Sequence, residues 1–421
     1  MAEVARQLQD SSESTTESTT VVVIGAGPAG MAVATLLRHS GIDCVVLERR
    51  SRDYVAQRQR AGIVETRAVR MFDSWGLTDR VLGGVPYDGI LEFRVDGRSH
   101  LVSDSDGSEG PPARLCPQQI LVQKLTATYL EDGGDLRFEA ADVSLHDLTG
   151  DRPTVRYRTA DGTPRTITCD FVAGCDGDHG VSRTSVPGGA LTAYAFDHGI
   201  GWLTVLADAP PPAHPLLAVS REGFAAHFPR GPRSSRYYLQ CPPDDDPDAW
   251  PEARVWDALR TRLGDPGLVS GPITDREIFR LRSLVHDPMR YGRLFLVGDA
   301  AHIVSPMGGK GMNLALYDAD LFARAVRDSV QGDDTALHTY SARCLRRVWN
   351  DQEFSHWLTR TLHDAGDAEP FPRNLARARL DRLFNSPAAA GAFAELMTGL
   401  DPTGDAVARE VPGNLSAPGG D

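Results

Sequence analysis

The sequence predicts an α/β (α+β) chain: a Rossmann-like, doubly wound parallel sheet, a mostly antiparallel second sheet, and a C-terminal helical region. Three observations carry this. Val21-Val22-Val23-Ile24 reads as a buried strand that runs into Gly25-Ala26-Gly27-Pro28-Ala29-Gly30 and then the apolar, helix-forming stretch Met31–Leu37. From Tyr194 to Gln240, strand-length apolar pieces are broken by prolines, the pattern of an antiparallel layer. Beyond Leu337, Trp349, Phe354 and Trp357 fall among arginines at helical spacing, and Leu375–Leu400 is rich in Ala, Leu and Arg.

The first of these is a phosphate cradle: glycines turn the strand sharply, and the helix aims its free N–H groups at whatever lies above the turn. Such a motif has an acidic partner about 20 positions on for a ribose hydroxyl. Glu48, at the end of the apolar strand Cys44–Leu47, supplies it. Gly41 stops the helix between them.

Next, Arg49, Arg50, Arg52, Arg58 and Arg60 crowd into twelve residues of an acidic chain. They read either as a solvated basic loop or as a surface that pairs bidentately with phosphates. Residues 63–82 carry apolar positions at helical spacing, and Leu91–Val95 alternates as a strand. Gln118–Leu130 reads as a helix, Leu136–Val143 and Thr154–Thr159 as strands, and Asp161-Gly162 as a hairpin turn.

A second focus is Thr168–Gly174 followed by Cys175-Asp176-Gly177-Asp178-His179-Gly180, an apolar strand ending in an Asp-Gly turn. His179 and Arg183 are four apart and share a face if a helix covers both. Asp176 and His179 read equally well as a turn former and a surface residue. Trp250–Leu263 reads as a helix. The third focus is Arg293–Val297, a buried strand that enters Gly298-Asp299-Ala300-Ala301-His302, a glycine-rich turn, and a helix to about Val326.

At 421 residues the chain is long enough for two or three domains. The expected division is a flexible tail over 1–19, a discontinuous nucleotide-binding domain over 20–187 and 289–330 with interleaved strands of the other sheet, a substrate-type sheet over 188–288, helices over 331–400, and a flexible tail over 401–421. The formal charge of −13 argues against wrapping nucleic acid or an anionic membrane. Residues 21–37 carry no charge, but their glycines and proline and their short length make them a strand and a helix rather than a membrane span. The polar start lacks the basic and apolar regions of a signal peptide. The 6 cysteines form no C-x-x-C pair and no zinc spacing, as expected of reduced thiols in a cytoplasmic protein.

Together, Gly25–Gly30, Cys175-Asp176-Gly177 and Gly298–His302 resemble, in order and spacing, the single-component (group A) FAD-dependent aromatic hydroxylases, most closely the branch acting on 4-hydroxybenzoate. Asp53-Tyr54-Val55, Arg60-Ala61-Gly62, Ser235–Tyr238 and Lys310–Ala315 strengthen the match, which spans about residues 20–400. The resemblance implies FAD held by Gly25, Gly27, Gly30, Glu48, Arg60, Gln118, Asp176, Arg236, Asp299, Met312 and Asn313. It implies pyridine nucleotide at Arg49, Tyr54, Arg58, His179, Arg183 and Arg282. Arg50 and Arg52 add charge for a 2′-phosphate, which favours NADPH over NADH. It implies hydroxylation of a small aryl carboxylate by O2 through a flavin C4a-hydroperoxide, without a metal, in a homodimer joined through the C-terminal helices. Pro306 and Met307 would frame the flavin edge.

Substrate recognition departs from the pattern. The family holds an aryl carboxylate with a Ser, an Arg and a Tyr; here Arg230 and Tyr238 stand at two of these places and Phe228 at the third. The family also uses two tyrosines to draw off the phenol proton. Leu216-Leu217-Ala218 and Met397 stand where they belong. Arg230, Tyr238 and Pro306 are therefore the expected catalytic contacts, with Phe228 and Met397 completing the substrate pocket. An amine activates a ring without losing a proton, so the expected substrate is an amino-hydroxybenzoate such as 3-amino-4-hydroxybenzoate, hydroxylated at C2 in secondary metabolism. Other readings are ordinary 3-hydroxylation of 4-hydroxybenzoate with a rearranged relay, and an FAD-binding redox or structural protein that hydroxylates nothing. His227 and Tyr317 are either a new relay or packing residues. The absence of a W-x-W motif argues against a flavin halogenase.

Overall fold

The computed structural model of the chain describes residues 16–57, 62–103, 111–367 and 369–399. Strand β1 (Thr16–Ile24) leads through the glycine turn into helix α1 (Pro28–His39) and β2 (Cys44–Leu47). Val21, Val22 and Val23 are fully buried because the sheet is covered on both faces. The strand starts earlier than expected: Thr16–Thr19, assigned to the tail, pair in parallel with Thr166–Cys169.

Helix α2 (Arg52–Gln57) follows, and then α3 (Thr66–Ser74). The expected helix over 63–82 is broken, since Ile63–Val64 is a short strand and a second helical turn begins only at Thr78. Strands β3 (Ile90–Val95) and β4 (Arg98–Ser103) precede helix α4 (Gln118–Glu131). The expected strand 136–143 is two strands, β5 (Asp135–Arg137) and β6 (Ala141–His146). Glu139 and Asp142 adopt φ of 58° and 51° there, and the left-handed backbone redirects the chain from the parallel sheet into an antiparallel arm. β7 (Thr154–Arg158) and β8 (Pro164–Gly174) form the hairpin around Asp161-Gly162. Helix α5 (Val181–Thr184) is capped by Gly180, so His179 precedes it and does not share a helical face with Arg183.

The second layer is β9 (Thr192–Ala207), β10 (Leu216–Ser220), β11 (Gly223–Gly231) and β12 (Ser234–Cys241), then α6 (Glu252–Leu263) and β13 (Ile273–Asp287). β14 (Arg290–Tyr291) and β15 (Leu294–Leu296) return to the first layer, and β16 (His302–Ile303) pairs with β13 at the edge of the second. Helices α7 (Lys310–Val330), α8 (Thr335–Asp367), α9 (Pro370–Asn385) and α10 (Pro387–Thr398) close the fold.

One sheet has the order β14-β15-β8-β1-β2-β5, parallel from β15 to β5, with β7 and β6 branching from β8. A second is β16-β13-β9-β12-β11-β10-β3-β4, antiparallel except where β10 meets β3, and the short segments Ile63–Val64, Arg114–Leu115 and Val85–Pro86 form a third. The second sheet's two faces have different partners, because side chains alternate along each strand. Leu203, Val205, Tyr237 and Leu239 pack with Trp256 and Leu259 of α6. Trp202, Leu217, Phe224 and Ala226 pack with Phe354, Leu358 and Leu362 of α8.

Candidate functional site

Three turns that are far apart in sequence meet at one edge because β1, β8 and β15 are neighbours with Ile24, Gly174 and Leu296 in register. The chain's own packing demands two of the glycines. A Cβ on Gly25, whose φ is +100°, would lie 2.6 Å from the Cys175 carbonyl oxygen, and one on Gly30 only 1.9 Å from that of Gly25. Gly27 differs: a Cβ there meets nothing within 4 Å. Its surroundings are open at the N-terminus of α1, where a phosphate binds helix N–H groups.

Around this opening stand the expected carboxylates. Glu48 accepts the Ala26 N–H at 2.8 Å and the Arg50 N–H at 2.7 Å, which pins it at the end of β2. Asp176 Oδ2 accepts the Ser182 N–H at 2.8 Å and its hydroxyl at 3.0 Å. The other oxygen, Oδ1, is buried without a hydrogen-bond partner among the described residues, and burial raises the pKa of the group despite Ser182. An orphaned acceptor at the rim of a glycine cradle fits a ligand that brings hydroxyl or N–H donors. Asp299 is exposed, and Gln118 is buried as the first residue of α4. Met312 and Asn313 are buried on the first turn of α7. Asn313 Nδ2 donates to the Ile63 and Gly309 carbonyls at 3.2 and 3.1 Å, and its Oδ1 accepts the Glu65 N–H at 3.0 Å. These residues fit FAD: the cradle would take the pyrophosphate, Glu48 the adenosine ribose and Asp299 the ribityl end.

Sequence reasoning missed the device beneath Asp299. Asp318 is fully buried, and its Oδ2 accepts both the Gly298 N–H at 2.9 Å and the His302 ring Nε2–H at 2.7 Å. Burial opposes charge on His302, but the Asp318 carboxylate outweighs it and raises the pKa. One oxygen thus holds both ends of the Gly298–His302 turn. Asp318→Asn is expected to lower apoprotein stability by about 1–2 kcal/mol, read from urea unfolding. The raised His302 pKa makes this contribution full below about pH 6.5 and lost as pH rises through that pKa. The gap from wild type is therefore larger at pH 6 than at pH 9, and a pH-independent gap contradicts the assignment.

The residues expected to contact substrate gather on the α8 side of the second sheet. Phe228 pairs with Arg236, Ala226 and Thr204 with Tyr238, and Leu217 with Ala226. The Tyr238 ring lies 4.8 Å from Trp202 and 5.8 Å from Phe228, with the Arg236 guanidinium 5.6 Å from it. Arg230 packs so tightly on the backbone of Gly62 that a Cβ there would be 2.7 Å from Nη1. Burial, aided by Arg236, pushes its pKa down to about 10. Met307 and Met397 pack against the same cluster, and Pro306, half-buried, directly precedes Met307.

The structure removes the two side chains weighed as a new relay. His227 points to the opposite face, stacked 4.2 Å from Tyr237 with Nε2 2.9 Å from the Ser235 hydroxyl, and burial pushes its pKa down to about 4. Tyr317 packs on the first sheet's core, with the Arg67 and Arg347 guanidinium groups 3.7 and 5.1 Å from its ring. A third histidine, not foreseen, adjoins the substrate face. His363 Nε2 accepts the Trp202 indole N–H at 2.7 Å, its Nδ1 donates to Thr359 O at 2.8 Å, and burial pushes its pKa down to about 3. Its lone pair is occupied, so it orients Trp202 and is no open base. Lys310 is likewise buried and unforeseen, donating to Glu65 Oε1 and the Met397 carbonyl, both at 2.9 Å.

Of the arginine cluster, Arg49 and Arg50 are exposed, with Arg50 5.0 Å from the Tyr54 ring and Arg52 5.8 Å from that of Phe138. Arg58 and Arg60 lie outside the described residues. His179, Arg183 and Arg282 gather instead around Asp178, a residue with no assigned role.

Residues 18–355 match the model of a family described as FAD binding domain. The chain is 39% identical over 392 residues to p-hydroxybenzoate hydroxylase of Acinetobacter baylyi, covering 91% of this chain and 96% of that protein. It is 30% identical over 320 residues to 3-(3-hydroxy-phenyl)propionate/3-hydroxycinnamic acid hydroxylase of Mycolicibacterium gilvum, covering 71% of this chain and 52% of that one. Among solved structures, p-nitrophenol 4-monooxygenase PnpA of Pseudomonas putida superposes with a TM-score of 0.78 at 19% identity, over 91% of this chain and all of that one, a likeness of fold. OxyS anhydrotetracycline hydroxylase of Streptomyces rimosus gives 0.72 at 25% identity, over 91% and 76%.

Proposed function

This chain belongs to the FAD binding domain family as an FAD-dependent aromatic hydroxylase of the p-hydroxybenzoate hydroxylase type, and on that premise we propose that it uses NADPH to hydroxylate an amino-substituted 4-hydroxybenzoate, such as 3-amino-4-hydroxybenzoate at C2. Bound FAD supplies acceptance of a hydride and transfer of one oxygen atom of O2 to the ring. Arg230 holds the carboxylate as a charge-assisted pair. Tyr238, Phe228, Trp202 and Pro306 orient the ring, and the apolar lining keeps water from it.

The observation that carries the substrate is the pair Leu217 and Met397. Both pack into the apolar cluster that contains Phe228 and Tyr238, at the places where the resemblance puts proton-accepting tyrosines. Neither accepts a proton, so a ring that needs its phenol deprotonated is poorly served and one activated by an amine is not. A panel of benzoates, scored as product formed per NADPH consumed, tests this. The 3-amino-4-hydroxy compound is expected to couple best; far better coupling with 4-hydroxybenzoate overturns the reading.

That second outcome, ordinary 3-hydroxylation, is favoured by the identity to p-hydroxybenzoate hydroxylase. A purely structural or redox use of FAD has less support, because Arg230 and Tyr238, the expected carboxylate contacts, stand on the α8 side of the second sheet beside Trp202 and Phe228. The anhydrotetracycline hydroxylase neighbour agrees with a place in secondary metabolism. Trp349, Phe371, Leu375 and Leu396 expose large apolar groups on α8–α10, which supports a homodimer through these helices. All 6 cysteines are free and buried, in keeping with a cytoplasmic enzyme. Among the described residues no helix is long and apolar enough to cross a membrane.

A further inference from the structure

Asp178 lies in the turn after β8, and its side chain is only 13% exposed. Basic side chains from three positions surround it. Arg282 of β13 donates from Nη2 to Oδ2, Arg183 of α5 donates from Nη2 to Oδ1 at 3.2 Å, and His179 Nε2 stands 3.7 Å from Oδ2. Arg183 is further bound to the fold, donating to the Ala300 carbonyl at 3.2 Å and to that of Asp178. His179 and Arg282 open outward, 82% and 43% exposed, on an edge that Arg183 joins to the Gly298–Ala300 turn. A carboxylate held between two guanidinium groups makes the contacts that an anionic ligand would otherwise make there.

We propose that Asp178 is a built-in surrogate anion, which occupies the Arg183–Arg282 pair and thereby holds down the affinity of this edge for the pyrophosphate of the pyridine nucleotide. The proposal rests on the reading that the nucleotide binds at this arginine-rich edge. The two guanidinium charges and the one carboxylate leave a single positive charge facing the ligand. Removing the carboxylate doubles it. The groups are partly exposed, so the gain is moderate and screened by salt.

The test uses the FAD-loaded enzyme without oxygen, with the NADPH dissociation constant read from the concentration dependence of flavin bleaching. Asp178→Asn is expected to lower that constant about fivefold at low ionic strength, with the gain shrinking toward about 0.5 M salt. Inorganic pyrophosphate, as a competitor, should tighten by a similar factor. Arg282→Gln should weaken both, and the double variant should return near wild type, because the net charge is restored. If Asp178→Asn does not retain FAD, Asp178→Ser, which also removes the charge, must show the same direction.

An unchanged or raised constant on loss of the carboxylate overturns the proposal. Arg50→Ala separates that failure from failure of the underlying reading. Weaker NADPH in Arg50→Ala with no change in Asp178→Asn sinks the surrogate role alone. No response in Arg50→Ala, Arg282→Gln and Asp178→Asn together sinks the placement of the nucleotide as well.

Discussion

Gly30→Ala is expected to yield a destabilised protein that purifies without FAD, whereas Gly27→Ala is expected to fold normally and still lose most of its FAD affinity. The added methyl at position 30 would lie 1.9 Å from the Gly25 carbonyl oxygen, a backbone atom that moves only if the strand–turn–helix joint opens. Overpacking of this kind costs about 3 kcal/mol or more, and it displaces the N–H groups that receive the phosphates. At position 27 an added Cβ meets nothing within 4 Å beyond its chain neighbours, and a φ of −75° suits alanine. Apoprotein stability there should hold or rise by about 0.4–1 kcal/mol. The methyl occupies the space through which backbone approaches pyrophosphate, so FAD should bind about 10- to 100-fold more weakly. Urea unfolding of the apoproteins and titration of FAD by fluorescence quenching read the two effects separately. A Gly27→Ala protein that binds FAD like wild type contradicts the cradle.

The second large effect is at Arg230. Arg230→Met should weaken binding of the aryl carboxylate by about 100- to 1,000-fold, the loss expected when a desolvated charge-assisted pair is removed. Stability should move the other way. The pKa of Arg230 is lowered from 12.5 to about 10 mainly by burial, so its charge opposes folding at every pH below about 10, and that penalty fades only as pH rises through this value. Methionine fills similar volume without the penalty, so the apoprotein's urea midpoint should not fall. In the wild type, KM for the carboxylate should stay flat from neutral pH to about 9, because the guanidinium keeps its charge throughout that range. A KM within threefold of wild type in Arg230→Met, or a lowered midpoint, sinks the assignment.

Much of the first sheet was legible because its signals are local. A run of valines, a glycine turn with one acidic partner and an apolar helix need no distant residue to be recognised. Boundaries failed where local signals do not exist. Nothing in Thr16–Thr19 shows that Thr166–Cys169 extends far enough to pair with it. The left-handed backbone at Glu139 and Asp142 occurs without a glycine or proline to mark it, and a lone Asp is too weak a turn signal to divide the expected strand in two. The helix expected over 63–82 was overturned by competing strand pairing, in which Ile63–Val64 meets Arg114–Leu115.

The relay through His227 was excluded by a rule available from the start. Side chains alternate along a strand, so Phe228 on the substrate face puts its neighbour on the other. Pairing with Arg236 and Tyr237 shows which face each takes. Asp178, Asp318, His363 and Lys310 gave no such warning. Each is an ordinary residue in sequence whose meaning comes from a partner brought to it by folding: Arg282, Gly298, Trp202 and Glu65.

By itself the sequence determined the three turns, their order and the chemistry they serve, because turn geometry and helix-terminus electrostatics depend on adjacent residues. It also showed that Leu216-Leu217-Ala218 and Met397, none of which accepts a proton, stand where the resemblance puts tyrosines. Only the tertiary structure decided that the three turns share one edge, which face of the second sheet meets α8, and that two arginines are already paired with a carboxylate. Those outcomes depend on strand order and on packing between distant residues, as where Arg282 reaches Asp178, and there hydrogen-bond register and excluded volume select the partner and no local pattern records it.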